Sequence, residues 1–364
     1  MTVEEARIAA ERRAVRRAAM LQQDVFQRHA SWAPLTAELE PGYTVLVTYP
    51  GDLPGLLQLS LRTLAAVDNS HCREILVIPD SLDSDDAGPD SDVLVAPSLV
   101  DRLACVVRKV PLTPAEKLVL RQNPGNSVRH WAQIVAGLHE VRTRYALLHD
   151  ADLVFEDPGF PAAHFRAAQD EKLACRGAET VWDSWFAANG HGHVVGTWEM
   201  MLDVEWVRTF APTELRPQRK LLDGVEHEFD TLLWAQATTS PTQIACAPYT
   251  SSFQHFGHLV CTFRDFQKRD PDAPFHDEHA LLVVMRILHD VLGAPASDDL
   301  PSFEALVSAL SSDSRYLTFP RNGEQPGPRR SMRVLRRVAD LVFSTSEREQ
   351  MSVLLTPFAK AFEG

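Results

Sequence analysis

The chain has 364 residues, of which 45% are hydrophobic, and its formal net charge is -13. That length is enough for one large α/β domain with additions or for two modest domains. A surface this acidic disfavours nucleic acid and anionic membranes as partners. A bound nucleotide would therefore need a metal ion, backbone amides or a few arginines in the site itself to offset its negative charge.

The cysteines and the N-terminal segment predict a cellular location. The five cysteines are odd in number, widely spaced and without a CxxC pair, so we expect reduced thiols rather than a disulfide framework or a zinc site. The first 21 residues are charged throughout and lack the apolar stretch of a signal peptide. No run approaches the roughly 20 apolar residues of a membrane span. We expect a cytoplasmic protein without a membrane anchor.

The first half of the chain alternates predicted helices and strands. An amphipathic helix is predicted at 4–30, a strand at 43–49, a helix at 56–67, a strand at 74–78, a strand at 103–110, a helix at 128–141 and a strand at 144–149. The strands carry continuous rather than alternating apolar residues, which favours a parallel sheet covered on both faces.

The second half is predicted to end in helices. Mixed strands and loops reach to about residue 265 and include a helix at 226–237; helices follow at 276–292, 302–310, 331–343 and 347–362, with a Pro/Gly-rich linker at 319–328. We expect a helical extension at 1–39, a catalytic domain at 40–265 and a helical region at 266–364, whose helices could form a homodimer.

The strongest chemical signal is the DxD sequence of Asp150 and Asp152, directly after a buried strand. Ligands of open α/β sheets bind outside the carboxyl ends of strands. Two carboxylates at such a turn can converge on one cation, and their oxygens suit Mg²⁺ or Mn²⁺. The alternative is an acidic turn that merely ends the strand, but its position favours a metal site.

Two further strand ends are expected at the same edge of the sheet. Thr48 and Tyr49 end the first strand, and Asp80 follows the second. Asp80 could accept a hydrogen bond from a ribose hydroxyl or a base N–H, and Tyr49 could support the base. The first strand is followed by GDLPG rather than GxGxxG, and a P-loop is also absent, which argues against a nicotinamide-binding Rossmann site.

These residues resemble a known family. The segment from YTVLVTYPGDLPG to EILVIPDSLDSDD, together with NPGNSVRHWAQIVAGLHEVRTRYALLHDADLVF, is similar to family 2-like GT-A glycosyltransferases over about residues 43–157. Two positions depart from that pattern: Pro50 stands where Asn is usual, and Pro79 where Asp is usual. The resemblance implies a GT-A type α/β fold with a mixed, mainly parallel sheet and helices on both faces. It also implies a nucleotide-sugar donor such as a UDP-sugar.

The second half resembles another GT-A branch, the polypeptide N-acetylgalactosaminyltransferases. DGVEHEFDTLLWAQ is similar to an acidic helix of that branch, and FGHLVCTFR is similar to its segment with a metal-completing histidine. The resemblance implies His258 as a metal ligand, with His255 as the alternative. It also implies that a turn at Gly196, Thr197 and Trp198 lies beside the donor sugar, where an ordinary strand turn is the alternative.

Glu228 is the candidate general base. It matches the acidic position that acts as base in inverting family 2-like enzymes, and in a retaining enzyme it would position acceptor or donor; simple helix capping is the alternative. The glycine-flanked His191 and His193 suggest a mobile loop over the donor rather than a metal site.

The expected reaction is metal-dependent transfer of a sugar from a nucleotide diphosphate donor to a hydroxyl of a small-molecule acceptor. Mn²⁺ or Mg²⁺, held by Asp150, Asp152 and His258, would stabilise the leaving diphosphate. A nucleotidyltransferase, a metal-dependent nucleotide-sugar hydrolase and a non-catalytic dimerising scaffold are the competing interpretations.

Overall fold

The computed structural model describes most of the chain. The described residues are 31–35, 37–80, 99, 102–103, 105–113, 116–117, 120, 126–179, 184–247, 253–257, 259–268, 282–292, 300, 302, 305–306 and 328–362. The predicted helix at 4–30, and most of the predicted helix at 302–310 and of the linker at 319–328, lie outside these ranges.

A seven-stranded mixed sheet forms the centre of the molecule. The strands of the described residues are β1 (Glu40–Tyr49), β2 (Cys72–Pro79), β3 (Val106–Lys109), β4 (Thr143–Asp150), β5 (Leu153–Phe155), β6 (Cys175–Glu179), β7 (Val195–Asp203), β8 (Gln218–Leu222), β9 (Val225–Phe229), β10 (Ile244–Ala247) and β11 (Phe253–His255). The sheet order is β3-β2-β1-β4-β7-β6-β10. Only β7 runs antiparallel to its two neighbours. The predicted fold class, a mixed and mainly parallel α/β sheet with helices on both faces, is confirmed.

Helices cover both faces of this sheet. The α-helices of the described residues are α1 (Pro54–Ala65), α2 (Asn126–Glu140), α3 (Phe160–Asp170), α4 (Trp185–Ala188), α5 (Val204–Val207), α6 (Leu233–Ala237), α7 (Leu259–Lys268), α8 (Leu282–Leu292), α9 (Pro328–Val342) and α10 (Thr345–Phe362). The elements predicted between residues 43 and 149 match to within a few residues, except that the strand predicted at 103–110 is reduced to β3.

The continuous apolar strands follow from this two-sided covering. In β1, Val45 and Val47 belong to the hydrophobic cluster on one face, whereas Leu46 between them belongs to the cluster on the other. Successive side chains of a strand point to opposite faces, so both sets of side chains in a doubly covered strand are mostly apolar.

The strand registers place the predicted polar ends side by side. Thr48 of β1 pairs with Asp150 of β4, and Tyr49 pairs with Pro79 of β2. Because β1, β2 and β4 are mutually parallel, their carboxyl ends meet at one edge of the sheet, as the candidate site requires.

The helix predicted at 226–237 is wrong in its first half. Residues 225–229 form β9, which pairs with β8 in an antiparallel hairpin, and only Leu233–Ala237 is helical. The two-residue turn is Asp223-Gly224, with φ values of 51° and 81°. An Asp-Gly pair with both φ angles positive is a favoured hairpin turn, and this short-range signal overrides the helical pattern.

The C-terminal helices share the core of the sheet. Buried residues of α8, α9 and α10, such as Leu288, Val338 and Leu355, belong to the same hydrophobic cluster as Val45. Ion pairs add to this packing: Arg62 of α1 contacts Glu347 at 2.8 Å, and Arg337 of α9 contacts the buried Glu156 at 2.8 Å. Among the described residues, no helix is both long and apolar enough to cross a membrane.

Candidate active site at the carboxyl edge of the sheet

A pocket of about 320 Å³ opens at the carboxyl ends of β1, β2 and β4. Its lining residues are Thr48, Tyr49, Pro50, Leu56, Asp80, Ser127, Arg129, His130, Gln133, Asp150, Ala151, Asp152, Thr197, Trp198, Asp230, His255, Leu259, Val260 and Cys261. The predicted residues Thr48, Tyr49, Asp80, Asp150, Asp152, Thr197 and Trp198 thus line one pocket. We call it the strand-end pocket.

Asp150, Asp152 and His255 form a compact cluster in this pocket. One ligand atom from each lies within 4.8 Å of the other two, and this is the one such metal-type group in the part of the chain that the structure describes. Nε2 of His255 lies 3.2 Å from Oδ1 of Asp152 and 3.9 Å from Oδ2 of Asp150. Two carboxylates and one imidazole can therefore face a single ion.

Strand pairing explains how a residue so distant in sequence reaches the aspartates. β5 starts directly after Asp152 and pairs antiparallel with β11, with His255 opposite Leu153. The N–H of Phe256 also donates to the carbonyl oxygen of Asp152 at 3.0 Å. The imidazole brought to the cluster is His255, the alternative ligand of the sequence analysis. The preferred ligand, His258, lies outside the described residues, so its role stays a prediction.

The Asp150 carboxylate is held by two further side chains. The Thr48 hydroxyl donates to Oδ1 of Asp150 at 3.1 Å, and Nε2 of His130 lies 3.1 Å from the same oxygen. Burial opposes ionisation of Asp150, but the neighbouring imidazoles of His130 and His255 outweigh it and hold its pKa below the usual range. The carboxylate is therefore kept charged despite its burial.

The two imidazoles show the reciprocal effect. Burial by itself would lower the pKa of His130, but Asp150 raises it on balance. Burial likewise opposes protonation of His255, and Asp152 and Asp150 raise the pKa of that ring above its usual value. The cluster thus concentrates negative charge that attracts protons or a cation to this corner of the pocket.

Trp198 packs directly against the candidate ligand His255. Their rings are stacked with centroids 4.6 Å apart and an interplanar angle of 14°. The predicted turn at Gly196, Thr197 and Trp198 is wrong, because these residues lie inside β7. Gly196 and Trp198 share one face of the strand, and a Cβ on Gly196 would collide with the indole of Trp198. Gly196 therefore permits the indole position that supports His255.

Asp80 lines the same pocket at the end of β2, on the other side of β1 from Asp150. It accepts a hydrogen bond from the N–H of Gly51 at 2.9 Å, and Nη1 of Arg129 lies 3.5 Å away. Burial raises the pKa of the Asp80 carboxyl, although the bond from Gly51 and the charge of Arg129 oppose this. Asp80 and Arg129 together offer both an acceptor and a donor at the end of β2.

Gln133 of α2 forms hydrogen bonds to the ends of β1 and β2. Its Nε2 donates to the carbonyl oxygens of Tyr49 at 3.0 Å and Ile78 at 2.6 Å. The end of β1 and the end of β2 are therefore held by one buried amide.

Three further residues of the pocket were not predicted from the sequence: Arg129, His130 and Gln133 of α2. The signal was available: the N-terminus of a helix that follows a parallel strand lies at the ligand-binding edge of the sheet. Polar residues in its first turns are therefore candidates for the same site.

The candidate base Glu228 does not line the strand-end pocket. It lies on β9, its side chain is 66% exposed, and its carboxylate is 4.0 Å from Arg219 on β8. Asp230, two residues later and beyond the hairpin, does line the pocket. Its Oδ1 accepts a hydrogen bond from the N–H of Thr231 at 2.7 Å. The hairpin thus directs Asp230 rather than Glu228 into the pocket lining.

A second imidazole–carboxylate pair lies beneath the pocket. His149 of β4 and Glu199 of β7 face each other across the antiparallel pairing, with Nδ1 and Oε2 3.5 Å apart and both side chains 0% exposed. Burial lowers the pKa of His149 to about 3 and raises that of Glu199 well above its usual value. Burial therefore opposes the charged form of both groups, unlike in the cluster above them.

The glycine-flanked histidines divide between two environments. His191 is buried and stacks on Trp185 with centroids 6.0 Å apart, whereas His193 is exposed. Trp185 and Phe186 of α4, with Phe229 of β9, form a small aromatic cluster beneath the hairpin. This packing gives His191 a structural environment. A lid over the donor remains a prediction.

No protein-family model matches the sequence, and no curated protein matches it. Solved structures similar to the chain include a mannosyltransferase from Pyrobaculum calidifontis in complex with GDP-mannose and Mn²⁺, at 16% identity and a TM-score of 0.39, covering 98% of this chain and 97% of that one. A second is glucosyl-3-phosphoglycerate synthase from Mycobacterium tuberculosis in complex with Mn²⁺, UDP-glucose and phosphoglyceric acid, at 12% identity and a TM-score of 0.37, covering 73% and 88%.

A third similar structure is the galactosyltransferase LgtC with donor and acceptor sugar analogues, at 10% identity and a TM-score of 0.37, covering 63% of this chain and 80% of that one. Similarities this distant do not assign an activity. The function proposed below depends on the geometry of the strand-end pocket.

Proposed function

We propose that this chain is a divalent-metal-dependent glycosyltransferase that moves a sugar from a nucleoside diphosphate donor, a UDP-sugar, to a hydroxyl of a small-molecule acceptor. The observation that carries the proposal is the cluster of Asp150, Asp152 and His255 at the carboxyl edge of the parallel strands, inside a pocket that also holds Asp80 and Arg129. The sequence resemblance of residues 43–157 supports the same reaction class.

The residues fit a divalent ion by their chemistry and spacing. Ligand atoms that all lie within 4.8 Å of one another could contact one divalent ion after small side-chain shifts. A set of two carboxylates and one imidazole suits Mn²⁺ better than Mg²⁺, which prefers oxygen ligands. When bound there, the ion would supply positive charge to the diphosphate leaving group.

The remaining side chains of the pocket would either contact the nucleoside of the donor or hold the metal ligands in place. Asp80 supplies a hydrogen-bond acceptor for a ribose hydroxyl or a base N–H, and Arg129 supplies a cation beside it. Tyr49, held at the end of β1 by the amide of Gln133, would support the base. Thr48 and His130 keep Asp150 charged and oriented, and Trp198 orients His255.

Asp230 is the acid–base group that we propose for an inverting reaction. It lines the pocket without belonging to the metal-type cluster. Its carboxylate would accept the proton of the attacking acceptor hydroxyl. This assigns to Asp230 the role that the sequence resemblance suggested for Glu228. In a retaining reaction the donor diphosphate would take that proton, and Asp230 would position the acceptor.

Nucleotide binding provides the first test. The melting temperature of the full chain would be measured with UDP, GDP and their sugars, each with Mn²⁺ and with EDTA. We expect UDP with Mn²⁺ to raise the melting temperature, because a ligand that binds only the folded state stabilises it, and we expect EDTA to abolish the rise. A UDP affinity that is the same in EDTA would contradict the metal-dependent site.

Product analysis separates the competing activities. Incubation of the stabilising nucleotide sugar with Mn²⁺ and candidate acceptors should produce a glycosylated acceptor and a nucleoside diphosphate. Rapid release of free sugar without an acceptor would favour a hydrolase. Failure of every nucleotide to bind would favour a non-catalytic scaffold.

A further inference from the structure

Two cysteines lie close together at the end of the sheet opposite the strand-end pocket. Cys72 opens β2, and Cys105 directly precedes the edge strand β3. Their sulfur atoms are 3.9 Å apart, and the thiol of Cys72 can donate either to Sγ of Cys105 or to the carbonyl oxygen of Glu74, 3.4 Å away. From these contacts we propose that Cys72 and Cys105 are a site of reversible disulfide formation, with a low-molecular-weight disulfide such as oxidised glutathione as the oxidant.

The backbone geometry permits the bond. β2 and β3 are parallel neighbours, with Glu74 opposite Val106, so Cys105 lies diagonally across from Cys72 at the start of the pairing. A strand spacing of about 4.8 Å and an offset of one residue, about 3.3 Å, place their Cα atoms about 5.8 Å apart, within the Cα separation of about 4.4–6.8 Å found for disulfides. The sulfur atoms need to approach by about 2 Å to reach the usual bond length, which side-chain rotation can supply.

The two thiols have different environments that suit successive roles. Cys105 is partly exposed, whereas Cys72 is buried. The hydrogen bond from Cys72 lowers the pKa of Cys105, while this pairing and burial raise the pKa of Cys72. The thiolate is the reactive species of cysteine, so Cys105 is the group that an external disulfide meets first.

The thiol–disulfide exchange with oxidised glutathione proceeds in two steps. The Cys105 thiolate attacks one sulfur of the oxidised glutathione, which forms a mixed disulfide and releases one glutathione thiolate. Cys72 then loses its proton to solvent and attacks the Cys105 sulfur, which releases the second glutathione thiolate. The chain loses two hydrogen atoms, and one molecule of oxidised glutathione becomes two of reduced glutathione.

The bond would close a loop of the chain that includes all of β2. It would tie the edge strand β3 to the interior of the sheet and restrict the unfolded chain, which stabilises the folded state. Asp80 follows the far end of β2, about 25 Å along the strand. Oxidation should therefore raise stability without displacing the strand-end pocket.

The decisive experiment maps disulfides in the folded full-length chain. After incubation with oxidised glutathione and blocking of remaining thiols, proteolysis without reductant should release a peptide pair linked through Cys72 and Cys105. The Cys72→Ser variant should instead accumulate glutathione on Cys105, because the second step is blocked. Cys246→Ser, a partly buried cysteine on β10, is the matched control and should form the link as the wild type does.

Either of two results would overturn the proposed disulfide site. In one, the wild-type chain stays glutathionylated at Cys105 and Cys72 remains a free thiol; in the other, the disulfide link forms only in denaturant. The oxidised wild type and the oxidised Cys246→Ser variant should melt a few degrees higher than their reduced forms, and dithiothreitol should reverse the rise. No rise in a chain that carries the link would refute the stabilising role. These measurements use no nucleotide, so they are independent of the proposed glycosyltransferase activity.

Discussion

Two imidazole–carboxylate groupings lie one residue apart on β4, and their pKa values are shifted in opposite directions. Above, in the strand-end pocket, Asp150 is held ionised and the pKa of His255 is raised. Below, burial lowers the pKa of His149 to about 3 and raises that of Glu199, so it opposes the charged form of both groups. The upper cluster contains two carboxylates and two imidazoles, those of His130 and His255. The attraction between the carboxylates and the imidazoles exceeds the cost of desolvating them. The lower pair is a single long contact of 3.5 Å that cannot offset complete burial.

Residues of the right chemical type do not by themselves make a metal site. A cation needs ionised ligands near solvent, and only the upper cluster provides them. The lower pair instead joins β4 to β7 beneath Asp150 and Trp198, and so supports the pocket from within the sheet.

The largest expected effect comes from removing charge from the upper cluster. Asp152→Asn keeps the shape of the side chain but takes one negative charge from the ion. We expect turnover to fall by about 100-fold or more with the fold intact, because a lost electrostatic contact to the leaving group costs several kcal/mol in the transition state. Steady-state kinetics and circular dichroism measure the two quantities. Turnover close to that of the wild type would place the metal site elsewhere.

The next effect separates the two acidic candidates for the base. Asp230→Asn should reduce kcat by about 100-fold if Asp230 accepts the acceptor proton. Glu228→Gln, on the exposed strand two residues earlier, is the matched control and should change kcat by less than about threefold. Both variants should bind the donor and Mn²⁺ as the wild type does. The reverse ranking of kcat values would restore the role that the sequence resemblance suggested for Glu228.

A smaller effect distinguishes the two histidines near the cluster. His255→Ala should weaken Mn²⁺ binding, measured by titration with UDP present, by at least about 10-fold, the range for disturbing a metal site. His258→Ala should change it less if His255 is the ligand that the geometry favours. Loss of metal from His258→Ala alone would mean that the resemblance identified the ligand and that His255 serves Asp152 only as a hydrogen-bonding neighbour.

The smallest effect concerns the pH dependence of stability, measured without metal in EDTA. The folded pKa of His149 lies below the unfolded value, so the unfolded chain takes up the proton first and stability falls as the pH drops below about 6.5. At pH 5.5 this loss is about 1.4 kcal/mol. His149→Phe, which keeps a ring against Phe155, should therefore gain about that much relative to the wild type between pH 7.5 and pH 5.5 in urea unfolding.

The upper cluster should show the opposite sign. The folded pKa of His255 is raised, so its protonation stabilises the fold below the unfolded value, and this contribution is lost as pH rises through the folded value. His255→Gln should therefore be most destabilised, relative to the wild type, below about pH 6.5. If His149→Phe and His255→Gln shifted in the same direction across this range, the contrast between the two groupings would be refuted.

Part of the site could be predicted from the sequence, and part of the fold could not. Asp150, Asp152, Thr48 and Asp80 were predicted to meet because a parallel sheet aligns its carboxyl ends, and the register places all four in one pocket. The Asp223-Gly224 turn is a local signal for the hairpin, but the apolar pattern that follows it predicts a helix where β9 lies. The position of Trp198 inside β7 had no local signal, because it depends on pairing with β4 and β6.

The sequence by itself determined the layered α/β architecture and the acidic edge, because continuous apolar runs and strand-end carboxylates are properties of neighbouring residues. Only the tertiary structure decided which distant side chains complete the site. His255 reaches Asp152 through the pairing of β11 with β5, His130 through the packing of α2, and Asp230 through the hairpin that precedes it. The ionisation states were also decided there, since the balance between desolvation and pairing depends on distances that no local pattern encodes.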